Sequence, residues 1–180
     1  MALLMANTSN VKEMKNGRPE SVLLKDKTGA VVGALPNCAI VSVGDVVEGD
    51  HIREAKALAA TNAVGKFVVV APEINVQQYR MIDNDIAKFA LEADEVYTAY
   101  ELQLHDRLEF SADYFASMSG LAVGETVNIA ADGKLTAKVD SKAGCLRVVS
   151  IREQRLPQMV LPNGQMRPAA VKMVKVEVVK

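Results

Sequence analysis

The segment Val96–Val139 alternates apolar and polar residues over most of its length, with turn-forming residues between the runs. Leu102 and Phe110 share one parity of this alternation, whereas Glu101 and Glu109 share the other. Side chains of a β-strand point alternately to its two faces, so a period of two predicts strands with one buried and one solvent-facing side. This pattern restricts the chain to a compact, mainly β architecture whose outer faces are charged.

Further short strands are predicted elsewhere along the chain. The run Phe67–Ala71 is continuously apolar and is followed by Pro72, which predicts a central, buried strand. In the last predicted strand the alternation changes phase at Met173-Val174, which predicts a β-bulge at that point. The other predicted strands are Val22–Leu24, Ala30–Ala34, Ala39–Val43, Arg107–Ser111, Leu146–Ile151 and Val171–Lys180.

The clearest turn lies within the predicted hairpin Thr126–Val139. There Ala131-Asp132-Gly133 separates two alternating runs, and an Asp-Gly pair in that setting is a strong hairpin signal. Glycine adopts a positive φ at no steric cost, so Gly133 is expected to have one.

Two segments favour short helices. His51–Thr61 is rich in alanine, carries apolar residues at helical spacing and follows Asp50, which can cap a helix. The second segment, Asp113–Met118, is compatible with a single helical turn. His51 is therefore expected at a helix start.

The chain divides into an arm and a β-rich part. Residues 1–20 are polar, aperiodic and rich in turn formers, so we expect an extended N-terminal arm there. Residues 21–180 are expected to form a small β-barrel or sandwich-like domain with one or two short helices. An alternative organisation has two small β-subdomains, 21–72 and 94–180, joined by 73–93.

A net charge of −1 conceals an uneven distribution of charge along the chain. Residues 141–180 hold eight basic and two acidic residues, whereas residues 28–140 hold 17 acidic and 8 basic ones. If the two parts interleave in the fold, these charges cancel. If they do not, the protein has a polarised surface that orients it on a charged partner.

Residues suited to catalysis or metal binding do not occur at diagnostic spacings. His51 and His105 belong to no zinc-binding motif, and His105 is expected in a turn between two strands. Cys38 and Cys145 are far apart and are expected to be free thiols. Asp83-Asn84-Asp85 opens like a calcium-binding EF-hand loop but lacks that loop's glycine. We therefore expect no catalytic residues, no metal and no cofactor, and a protein that is not an enzyme.

The sequence also gives no membrane signal. The first ten residues lack the basic region of a signal peptide. No apolar run approaches the ~20 residues that a spanning helix needs, so no membrane partner is expected.

The order of strands and turns after residue 67 carries a family resemblance. It resembles that of the small structural proteins of tailed bacteriophages that decorate or cement the head. The resemblance covers roughly Val68–Lys180 and includes no catalytic signature. Its segments are Val68–Glu73, Tyr79, Phe89, Tyr100–Leu102, His105–Ser111, Val123–Val127, Asp132–Leu135, a Val/Ile strand and a valine-rich end.

The resemblance implies a non-enzymatic virion protein on the capsid exterior, present in the host cytoplasm during assembly. Its expected partner is the major capsid protein, and direct nucleic-acid binding is not expected. Self-association is also implied, with a trimer favoured and a monomer or dimer left open. The N-terminal arm maps onto residues 1–20, whose candidate contacts with capsid or a sister subunit are Lys12, Lys15 and Arg18.

The sequence leaves two alternative functions open. The strand entry Val123–Val127 and the basic C-terminal part suggest a small-barrel module that binds nucleic acid or the ribosome. An isoelectric point near 6.1 argues against that alternative. A carbohydrate-binding or enzyme-accessory domain ranks last, because the chain has no Trp and few aromatic residues for stacking on sugars.

Overall fold

The computed structural model describes residues 18–24, 35–48, 51–71, 90–91, 95–140, 143–155 and 170–180. Within these ranges the chain is mainly β, as predicted, and its only helical element is the 3-10 turn Ala112–Tyr114. The strands are β1 Pro19–Leu23, β2 Leu35–Pro36, β3 Ile40–Glu48, β4 Ile52–Lys56, β5 Phe67–Val70, β6 Ala90–Leu91, β7 Val96–Glu101, β8 Arg107–Ser111, β9 Thr126–Val127, β10 Leu146–Arg155 and β11 Ala170–Val178.

Five strands close into a small barrel in the order β1-β4-β3-β5-β7. The ring is completed by β1, which pairs parallel with β4 and antiparallel with β7. Ser21 thus lies opposite both Ile52 and Thr98. Because β1 begins at Pro19, the last two residues of the predicted arm, 1–20, are part of the barrel wall.

The remaining strands form a four-stranded antiparallel sheet, in the order β8-β11-β10-β9, and the separate pair β2-β6. We call the four-stranded sheet the second sheet. Its central strand β11 pairs along most of its length with β10 on one side and with β8 on the other. This arrangement places the C-terminal, basic part of the sequence in the middle of the second sheet.

The barrel and the second sheet share a wall made of β3, β5 and β7. Along β5, Phe67 and Val69 belong to the cluster inside the barrel, while Val68 and Val70 belong to the cluster against the second sheet. The continuously apolar run that predicted a central strand therefore reflects burial on both faces. Burying a valine fully contributes about 1.5–3 kcal/mol, so each member of this wall stabilises one of the two cores.

Two contacts fix the hairpin and the 3-10 turn against the barrel. Gly133 has φ +74°, as predicted, and its carbonyl accepts a 3.0 Å hydrogen bond from the Ile40 amide. Tyr114 is fully buried and its hydroxyl donates to the Asn37 carbonyl at 2.8 Å. Burial raises the pKa of Tyr114 well above its ordinary value, which keeps the hydroxyl protonated as a donor.

The predicted helix His51–Thr61 is wrong. Ile52–Lys56 forms β4, which lies between β1 and β3 in the barrel, and His51 occupies a turn before it. Ala55 is completely buried inside the narrow barrel, where a small side chain fits. Pairing on both edges of β4 outweighs the modest helix propensity of its alanines.

The bulge predicted at Met173-Val174 is wrong, since β11 pairs with β8 without interruption from Met173 to Glu177. The register shift lies in β10, between Val148 and Ser150. In β11, Val171 and Met173 face one side and Val174 and the later valines face the other, and both sets are buried. The change of phase in the sequence thus marks a strand with two apolar faces.

Several predicted features lie outside the described residues. They are the strand Ala30–Ala34, the acidic segment Asp83-Asn84-Asp85 and most of the arm. Cys38 and Cys145 are described, and both are buried free thiols.

Candidate interaction face of the second sheet

The clefts of the described structure offer little specific chemistry. One of about 540 Å³ lies between residues 59–66 and the hairpin. Its side-chain oxygens on Asn62 and Asn128 accept backbone N–H groups, and Lys66 donates to Ser42. These polar groups hold turns and strands in place, so they do not converge on a ligand.

Within the described ranges, no group of three or more His, Cys, Asp or Glu residues is arranged to hold a metal ion. No helix within the same ranges is long and apolar enough to cross a membrane.

The side of the second sheet that points away from the core carries exposed arginines above buried carboxylates. We call it the ionic face. Leu108 and Val176 point from the sheet into the core, so the alternate residues of the same strands point outward. The ionic face consists of Arg107, Glu109 and Ser111 in β8, Met173, Lys175 and Glu177 in β11, and Arg147, Ser150 and Arg152 in β10.

Glu177 is the centre of one row across this face. The strand register places Arg107 on one side of it and Arg147 on the other. The Arg147 guanidinium lies 3.3 Å from one carboxylate oxygen, and His105 Nδ1 lies 2.8 Å from the other. The Glu177 side chain is only 10% exposed, against 48% for Arg147 and 57% for His105. The carboxylate is therefore enclosed beneath cationic and imidazole groups that reach the solvent.

Hydrogen bonding keeps Glu177 ionised. The hydrogen bond from His105 is the largest influence that lowers the pKa of the carboxyl group. Partial burial opposes this effect, while the hydrogen bond from Arg147 and the charges of Arg147 and Arg107 lower the pKa further. The net result is a pKa below the ordinary value.

A second carboxylate, that of Glu109, is also paired with an arginine. Its side chain is fully buried, and both oxygens accept hydrogen bonds from Arg152 at 2.6 and 2.8 Å. The hydrogen bond with Glu109 raises the pKa of Arg152 above its ordinary value. Since Arg152 belongs to β10 and Glu109 to β8, this bidentate pair spans the central strand β11.

The turn that carries His105 has an unusual backbone. As predicted, His105 lies in the turn between β7 and β8, and it has φ +74° although it is not glycine. Its amide donates to the Val178 carbonyl at 2.9 Å, and the Asp106 carboxylate accepts from the Gln103 amide at 2.8 Å. These bonds attach the turn to the end of β11 and bring the imidazole onto Glu177.

The sequence did not reveal the ionic face. Glu177 lies 72 residues from His105, and only the pairing of β11 with β8 brings them together. Alternation within β8 and β11 could have assigned these side chains to an outer face, but it carries no information on which strands are neighbours.

The contact residues predicted from the sequence are Lys12, Lys15 and Arg18. Lys12 and Lys15 are outside the described residues. Arg18 is described: its side chain is 74% exposed and pairs with Glu20 at 3.2 Å, and its carbonyl accepts from the Glu101 amide. Its backbone thus contributes to the barrel, while its role as a capsid contact stays a prediction.

Comparison of the chain with models of known protein families, with curated proteins and with solved structures found no match.

Proposed function

We propose that the protein is a non-enzymatic structural component of a tailed-bacteriophage virion, which binds the outer surface of the major capsid lattice and stabilises the head. The sequence support is the resemblance over Val68–Lys180. Most of the described segments that carry it belong to the shared wall or to the second sheet. The proposal includes self-association, with a trimer favoured, and contacts from Lys12, Lys15 and Arg18 of the arm.

The observation that carries the proposal is the ionic face and the packed strand beneath it. Strand β11 beneath it is buried on both sides and packs on a valine-rich core. A charged sheet surface suits attachment to a repeating protein lattice, because electrostatic complementarity selects the partner and orientation. If copies are linked on the lattice, modest contacts combine into strong attachment.

The proposal is tested by adding the purified protein to expanded, undecorated heads made from the major capsid protein of the same genome. We expect saturable co-sedimentation at a fixed ratio to capsid subunits, and a higher melting temperature of the decorated heads. Unexpanded shells of the same capsid protein are the matched control. Failure to co-sediment with expanded heads would contradict the proposal.

A second candidate, a module that binds nucleic acid or the ribosome, is favoured by the arginines exposed on the ionic face. Its test is filter binding of DNA and RNA at low and moderate salt. Attachment through phosphates weakens steeply with salt but persists at moderate salt when many contacts are made. Retention of either nucleic acid at moderate salt, without co-sedimentation with heads, would replace the capsid proposal.

A further inference from the structure

The Glu177 row has an excess of positive charge at its surface. Arg107 and Arg147 flank a single carboxylate, which is ionised and enclosed. Within the described part of the chain, the exposed side chain of Arg107 makes no hydrogen bond and acts on the Glu177 carboxylate through its charge. The row therefore presents guanidinium groups to an incoming partner while its own anion lies beneath them.

The spacing of the row suits separate carboxylate groups. Neighbouring strands lie about 4.8 Å apart, so the backbones of β8 and β10 are about 10 Å apart on either side of β11. A guanidinium group is planar and donates in a fork that matches a carboxylate. Two carboxylates of one acidic segment can therefore each meet an arginine across this distance.

The backbone of His105 supplies a second observation. A non-glycine residue with positive φ is energetically costly, and such residues concentrate at functional sites. Here the conformation is held by the bond from the His105 amide to β11, and it places Nδ1 on Glu177. With Nδ1 donating to the carboxylate, Nε2 of the half-exposed ring remains directed away from Glu177. The turn thus adds a polar group to the rim of the row.

We propose that Arg107 and Arg147, with His105 at their rim, form a docking point for carboxylate groups of an acidic protein segment. The inference rests on the proposed function for the source of that segment, which is then an acidic surface of the capsid lattice. The chemistry of recognition itself depends only on the row.

An acidic protein fits this surface better than a nucleic acid does. A polyanion gains affinity from many adjacent cations, whereas this row presents only two arginines. Single strands also require aromatic stacking, and the outward residues described for β8, β10 and β11 include no aromatic side chain.

The test compares two double variants of the intact chain. Arg107→Gln/Arg147→Gln removes the two guanidinium groups of the row. Arg155→Gln/Lys172→Gln is the matched control: it also removes two exposed charges from the second sheet, at positions of the opposite parity. The probes are a fluorescent glutamate-rich peptide and a fluorescent DNA duplex, with binding measured by anisotropy at low and physiological salt.

We expect the wild type to bind the peptide in preference to the duplex. The row variant should bind the peptide about tenfold more weakly, and the control should change little. Equal losses in the two variants would show that only net charge matters and would overturn the inference. No loss in the row variant, or preference for the duplex, would overturn it as well.

Two further measurements, thermal melting and binding to heads, distinguish the remaining outcomes. If thermal melting shows that the row variant is unfolded, Arg107→Gln alone is used, because it removes charge without removing a hydrogen bond among the described residues. If wild type and row variant decorate heads equally, the docking inference fails while the proposed function stands. If neither decorates heads but peptide binding follows the row, the proposed function fails and the docking point stands.

Discussion

The barrel and the second sheet are stabilised in different ways although they share a wall. The barrel is a closed ring around small residues such as Ala55 and Ala99, and β1 is inserted between two strands to close it. The second sheet is open, and its central strand β11 is buried on both faces and bordered by ion pairs. A closed barrel cannot stay closed when one of its strands is removed. An open sheet, in contrast, can lose a single surface contact while its strands stay paired. The barrel should therefore be the more sensitive region.

Removal of β1 should have the largest effect. Val22 and Leu23 are buried in the barrel wall, and losing them costs about 1.5–3 kcal/mol each in addition to both ladders. That sum is comparable with the whole stability of a domain, so a chain beginning at Leu24 should lose cooperative unfolding. A chain beginning at Arg18 retains β1 and is the control. Circular dichroism during heating measures both, and a cooperative transition in the shorter chain would contradict the assigned role of β1.

Gly133→Ala should have the next largest effect, at the junction between the hairpin and the barrel. A Cβ atom there would lie 2.9 Å from Ala39 Cβ, and φ is positive. The expected loss is about 2–3 kcal/mol, from strain and overpacking together. Gly124→Ala is the matched control, because Gly124 has φ +93° but open space around its Cβ position. Chemical denaturation should give a loss of only about 1 kcal/mol for the control. Equal losses of unfolding free energy in the two variants would show that the contact with Ala39 adds nothing to the cost of a positive φ.

Arg152→Ala probes the second sheet. It leaves the buried Glu109 carboxylate without its bidentate partner, and hydrogen bonds to charged groups contribute about 1.5–3 kcal/mol. Since Arg152 is half-exposed, we expect a loss near the lower end of that range, measured by urea denaturation. Lys172→Ala removes an exposed charge from the same sheet and should be nearly neutral. If Arg152→Ala also left the free energy of unfolding unchanged, burial of the Glu109 carboxylate would not depend on its hydrogen bonds with Arg152.

Glu177→Gln should have the smallest effect, and one that depends on pH. The folded-state pKa of Glu177 is lowered, first by the His105 hydrogen bond, so the ionised form stabilises the fold. This stabilisation is fully present above the ordinary value of 4.5 and is lost as pH falls through the lower folded-state pKa. We expect less than about 1 kcal/mol at neutral pH, as for other partly exposed pairs. Melting temperatures of variant and wild type should therefore converge at acidic pH, and a constant difference would contradict the linkage.

The sequence predicted the strands but not their neighbours. The alternation in β8, the apolar run of β5 and the Asp-Gly turn are local signals, and the structure has two strands and a turn at these places. The strand β4 was missed because its alanines favour helix when no partner strand is visible. Glu109 was assigned to a wet face by its parity, yet it is buried, because an ion pair that spans three strands depends on register. The ionic face could not be predicted for the same reason.

The shared wall has a consequence for how the molecule opens. Strand β5 supplies alternate side chains to both hydrophobic clusters, so opening either cluster exposes one side of the same strand. Local unfolding of the barrel alone, or of the second sheet alone, would then also disrupt side-chain packing in the other region. The two regions should behave as one cooperative unit, in which the amide hydrogens of β5 exchange with solvent only on global unfolding.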